Sequence, residues 1–157
     1  MDFSYIPIIL SLKVALAAVI IVTCVSIPLA GLMARKDFLG KDVVESIITL
    51  PLVLPPSVIG FMLLVVFGKN GPLGKLLEQL FHIKVVFTLE GAIIAAAVVS
   101  LPLMYQSVKV AMENVDQNLE KAARTLGAKE LRIFFTITLP LAWNGILAGL
   151  VLAFARS

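Results

Sequence analysis

ENVDQNLEKAARTLGAKELRIFFTITLP, residues 113–140, is the polar island of this chain. Residues 91–107 before it and residues 133–155, which overlap its end, carry no charge. A charged, helix-forming stretch between apolar runs of this kind is a loop between membrane spans. Leu119, Ala122, Ala123 and Leu126 recur at i, i+3, i+4 and i+7, which makes one apolar stripe on a short helix. Glu120, Lys121, Arg124 and Thr125 take the other side, with Glu120 and Arg124 spaced as a weak i, i+4 ion pair. Asp116 or Asn118 suits the helix start, and Gly127 suits a left-handed residue just past its end. The two adjacent alanines leave room for another backbone or a large side chain to come close.

The composition agrees with a membrane setting. Of the 157 residues, 60% are hydrophobic, and the mean hydropathy of +1.04 lies well beyond a soluble domain. Four uncharged runs, over residues 14–34, 46–68, 91–107 and 133–155, predict an all-α, polytopic transmembrane protein with about four spans. The first is long enough to cross about 30 Å of hydrocarbon at about 1.5 Å per residue. It lacks a basic leader and a small-residue cleavage site, so it is expected to stay as an anchor, kinked at Pro28. Residues 35–45 read as a charged connector. In LPLVLPPSVIG, residues 50–60, Pro51, Pro55 and Pro56 cannot all sit in a regular helix. The second span is therefore expected to break near its first third, either to line a pathway or to set a packing kink. Thr49 and Ser57 are the pathway candidates there. Residues 68–90 read as an external loop with a turn at Gly71-Pro72 and a short interfacial helix over 73–81. Pro140 suits the start of the last span, whose Gly145 and Gly149 are spaced for close helix packing.

The charge distribution sets an orientation. Arg35, Lys36, Lys41, Lys109, Lys121, Arg124, Lys129 and Arg132 fall on one side of these spans, against Lys69, Lys75 and Lys84 on the other. This bias places the N-terminus outside and the polar island in the cytoplasm. It also accounts for the net charge of +3 without a nucleic-acid partner, for which no motif exists. One cysteine, Cys24, allows no intrachain disulfide, and the single His82 stands far from it. No metal-ligand spacing, catalytic set or cofactor motif occurs, and no G-x-x-x-x-G-K-[ST] loop for ATP phosphates. The spans carry no charged residue away from their ends. That argues against an ion-coupled carrier and for a permease powered by a partner.

The register of Ala122-Ala123, Gly127 and Ile137-Thr138-Leu139-Pro140 resembles the cytoplasmic coupling motif of binding-protein-dependent ABC importer permeases. Those share Glu-Ala-Ala, a glycine and a later Ile-x-Leu-Pro; here Lys121 precedes the alanines and the acid stands one place earlier, at Glu120. Residues 50–74 and 119–157 are similar to molybdate ABC transporter permeases, with tungstate and sulfate permeases as near relatives. The resemblance implies a cell-membrane permease domain over residues 1–157, with its coupling segment at 113–140 and no enzymatic activity of its own. It implies that Glu120, Ala122, Ala123, Gly127, Leu139 and Pro140 couple to a separate ABC ATPase subunit. It further implies a second permease copy, as a homodimer, and an external oxyanion-binding protein. Permeases of this kind continue past a segment like residues 154–157 into at least one further span, so the domain is read as incomplete. The other readings are a permease for tungstate, sulfate or another solute, and a truncated, non-transporting membrane protein that binds partners only.

Overall fold

The computed structural model describes residues 5–68, 71, 74–75 and 87–157. Among these, seven helices account for the fold: α1 (Ile6–Arg35), α2 (Lys41–Val53), α3 (Pro56–Phe67), α4 (Leu89–Glu113), α5 (Gln117–Thr125), α6 (Glu130–Leu141) and α7 (Trp143–Arg156). Two, α1 and α4, are each long and apolar enough to cross a membrane; counting the bent pairs α2–α3 and α6–α7 as one span each gives four. The interfacial helix expected over 73–81 lies, apart from Gly74 and Lys75, outside the described residues, as does His82.

The helix breaks follow from backbone chemistry. A residue before proline is pushed out of the helical region. Leu54 precedes Pro55 and has ψ 142°, and Pro55 precedes Pro56 and has ψ 141°. Two extended residues in succession turn the chain by 116° between α2 and α3. Pro56 then opens α3, where its missing N–H costs nothing. Pro51 is accommodated inside α2, and Pro28 inside α1 without ending it. Two expected boundaries move: α1 starts at Ile6, ahead of Lys13, and the charged connector ends at Gly40, whose φ of 96° admits the turn into α2.

α4 is the central helix. It packs along α1 on one side and α7 on the other. Val22, Ala30 and Met33 of α1 meet Met104, Val108 and Met112 of α4 in the core, with Ile146 and Ala153 of α7. Elsewhere the large apolar side chains of α1 and α3, such as Ile20, Phe61 and Val65, point outward, as helices immersed in lipid require. The glycine pair of α7 is what lets it approach. A Cβ at Gly145 would overlap Ala111 Cβ, and one at Gly149 would stand 2.8 Å from Met104 Sδ and 3.1 Å from Ser107 Cβ. We expect Gly149→Leu to force α7 off α4 and to destabilise the bundle by about 1–3 kcal/mol, as overpacking of a filled core does. Thermal denaturation of the detergent-solubilised protein measures it.

α6 is irregular for a stated reason. Pro140 cannot bond four residues back, and its ring crowds that carbonyl. Residues Phe134–Thr138 form a widened π-type turn just before it, in which Leu139 N–H reaches back to Phe134 O. Pro140 thus opens only the last short turn of α6, and α7 begins after a break at Ala142 that bends the pair by 70°. Phe134 lies over Gly31 of α1, where a Cβ would come within 2.6 Å of its ring. So the wide turn of α6 rests directly on the last turns of α1.

Candidate functional site

The polar island folds as α5, a turn, and α6. Asp116 caps α5, its carboxylate accepting the Asn118 N–H at 2.8 Å. At the other end Gly127 takes φ 80°. Its N–H donates to Arg124 O at 2.9 Å and Ala128 N–H donates to Ala123 O at 3.1 Å, the paired bonds of a glycine-terminated helix. Arg124 does not pair with Glu120, as its spacing predicts. It reaches across the turn to Glu130, with Nε on one carboxylate oxygen and Nη2 on the other at 3.0 Å. The turn brings Glu130 to the fork-shaped donor, and a two-point contact outcompetes a single i, i+4 contact.

These bonds hold the Glu130 carboxyl below its usual range, the Arg124 hydrogen bonds being the largest cause. A carboxylate lowered on folding stabilises the turn above its unfolded value. That contribution disappears as the pH falls through the lowered, folded value. We expect the protection of the Gly127 and Ala128 amides, taken as their exchange relative to the intrinsic rate at each pH, to fall as the pH is taken from neutral to below the carboxylate range. Glu130→Gln removes that pH dependence.

The faces of α5 are inverted relative to a buried amphipathic helix. Leu119, Ala122 and Leu126 are exposed, and Ala123 is half-buried. The residue turned inward is Glu120, only 4% exposed. Its Oε1 takes an ion pair from Arg35 Nη2 at 2.8 Å and a hydrogen bond from Thr138 Oγ1 at 2.6 Å. The same Arg35 nitrogen donates to Val115 O at 3.3 Å. The expectation that Glu120 shares the solvated side with Lys121, Arg124 and Thr125 is therefore corrected. A carboxylate can turn inward here because α1 ends in a guanidinium at that place and the wide turn of α6 aims a hydroxyl at it. Sequence reading missed Arg35 and Thr138, since nothing local marks either as a partner of Glu120.

The other expected site residues separate into two groups. Ala123 and Gly127, with Leu126, Ala128, Arg132, Ile133, Thr136 and Ile137, line an open groove of about 340 Å³ between α5 and α6. Leu139 is half-buried against the core and Pro140 is exposed beyond the wide turn. Neither lines that groove. A second ionic cluster stands nearby, where Lys109 of α4 pairs with Glu45 of α2 at 2.6 Å and with Glu113 at 3.6 Å. Arg35, Glu120, Lys109 and Glu45 thus gather at one end of the bundle. Among the described residues no group of His, Cys, Asp or Glu side chains is placed to hold a metal.

The arrangement is an outward apolar helix face beside a glycine turn, at the charged end of the bundle. The sequence profile of the family described as "Binding-protein-dependent transport system inner membrane component" matches residues 26–157. The chain belongs to that family. It is accordingly an integral protein of the inner membrane. It is 51% identical to "Molybdenum transport system permease protein ModB" of Haemophilus influenzae, over 94% of this chain and 65% of that protein. It is 51% identical to the protein of the same name from Escherichia coli, over 96% of this chain and 66% of that one. "Molybdate/tungstate transport system permease protein WtpB" of Pyrococcus abyssi is 40% identical over 93% of this chain and 53% of its own length. The chain spans just under two thirds of the length of the first two. The family match covers α5, the Gly127 turn and the wide turn of α6.

Proposed function

We propose that this chain is the membrane-spanning part of an ATP-driven importer for molybdate, coupled to a separate ATPase subunit through α5. The observation that carries the reading is the outward face of Leu119, Ala122 and Leu126, which continues into the groove at Ala123 and Gly127. An exposed apolar patch of this kind, ringed by Lys121, Lys129 and Arg132, suits a partner groove with an apolar floor and an acidic rim. Glu120 has no part in that contact; it holds the helix from behind. The external oxyanion-binding protein and a second permease copy complete the assembly, and residues 1–157 form one domain with its coupling segment at 113–140. The excess of basic residues at the α5 end supports a cytoplasmic place for that end, with the N-terminus outside.

The names of the 51% identical relatives support molybdate, and that of the Pyrococcus abyssi relative supports tungstate as a second substrate. The test is uptake of labelled molybdate into proteoliposomes holding the full-length permease, its ATPase and its binding protein. We expect ATP-dependent uptake that excess tungstate suppresses and excess sulfate does not. Uptake suppressed only by sulfate assigns the system to sulfate, and no uptake of any of the three defeats the importer reading.

A further inference from the structure

α5 has only nine residues, and Glu120 is its only buried one. A helix this short is not stable alone, and its apolar side is turned away from the body of the protein. What holds it on the bundle is therefore polar. One carboxylate oxygen of Glu120 receives Arg35 from the last residue of α1 and Thr138 from the wide turn of α6. Arg35 also grips the Val115 carbonyl, immediately before α5. Three elements meet at one buried charge, through directional contacts that tolerate little displacement in a poorly solvated place.

We infer that the Arg35–Glu120 pair is a mechanical tie that makes α5 and the inner end of α1 move as one body, with Arg35 and Glu120 acting as positioning residues for coupling. This rests on the reading of α5 as the coupling helix. A push on the exposed face of α5 is then delivered to the 30-residue α1 and not absorbed by the flanking turns. The Gly31–Phe134 contact adds α6 to the same body. α2 and α3 are not included. α2 packs Val44 and Ile48 on the core and meets α4 through the Lys109–Glu45 pair, but the contacts of Arg35 and Glu120 do not reach it. Arg35 makes its contacts through Nη2 alone, so a lysine ammonium at that position can reproduce them.

The test uses the full-length permease in complex with its ATPase and binding protein. Spin labels at Lys36 and Gln117, both exposed, report the distance between the end of α1 and α5. We expect one narrow distance, the same in the resting and ATP-trapped complexes. Glu120→Ala broadens it and lowers the oxyanion carried per ATP hydrolysed about tenfold, an ordinary size for coupling between sites. Arg35→Lys keeps both near the wild-type values, and Thr138→Val, which deletes one of the two bonds and preserves shape, falls between. A purely structural role lowers the amount of complex and leaves the ratio per complex unchanged. The tie is overturned if the wild-type distance changes on ATP trapping, or if Glu120→Ala alters neither distance nor ratio. If the wild-type complex carries no oxyanion, the importer reading fails, and the distances still decide the tie.

Discussion

Gly127→Pro is expected to abolish ATP-driven uptake by the assembled permease while leaving the chain in the membrane. Gly127 has φ 80°, and proline is locked near −65°. The substitution also deletes the N–H that donates to Arg124 O. The last turn of α5 and the Arg124–Glu130 bridge beyond it cannot both survive, so the outward face loses its shape. None of the long apolar helices is touched, so insertion is unaffected. Ala123→Trp tests the same surface without disturbing the backbone. It fills the groove of about 340 Å³ with an indole and is expected to remove ATPase binding as completely. Uptake in proteoliposomes and co-purification of the ATPase measure the two effects. Uptake that survives both changes rules out this face as the docking surface.

The second large effect concerns Glu120. Removing one member of a buried ion pair leaves the other charged and poorly solvated, a loss of about 3–5 kcal/mol. Glu120→Ala is expected at the lower end of that range, because the Arg35 side chain retains 18% exposure and can recruit water. The double change Arg35→Met with Glu120→Leu removes both charges and fills the space with apolar atoms of similar volume. It is expected to restore the stability to near the parent value, as apolar replacement of buried pairs does. Denaturant titration of the purified protein reads both. A double variant as unstable as Glu120→Ala means that the loss comes from packing and not from an orphaned charge. If the stable double variant still fails to couple, the charges serve α5 placement beyond their share in stability.

Much of this molecule is local, and what is local is legible in its sequence. The uncharged runs mark the helices that meet lipid. Pro55 and Pro56 place the break of the second span, because each proline dictates the conformation of the residue before it. Asp116 and Gly127 mark the ends of α5, since a cap and a left-handed residue act within one turn. The stripe of Leu119, Ala122 and Leu126 follows from helical period alone. The direction in which the stripe points does not. Period fixes which residues share a face, but only the surrounding helices decide whether that face is buried. Here the body of the protein offers Arg35 and Thr138, and the carboxylate side of α5 turns inward to meet them.

The same distinction explains the ion pairs. Glu120 has Arg124 one helical turn away, and in sequence terms that pair is the natural one. In the fold Arg124 takes Glu130, and Glu120 takes Arg35 from the far end of the first helix. Such choices depend on which chain segments are brought together, and on the burial that makes a paired charge necessary. The close approach of Gly31 to Phe134 and of Gly149 to Met104 is of this kind too. Sequence by itself determined the long apolar helices, the break at Pro55 and Pro56 and the turn at Gly127. Tertiary structure decided the inward charge, the outward apolar face and the partners of each ion, because those are set by distances between residues far apart along the chain.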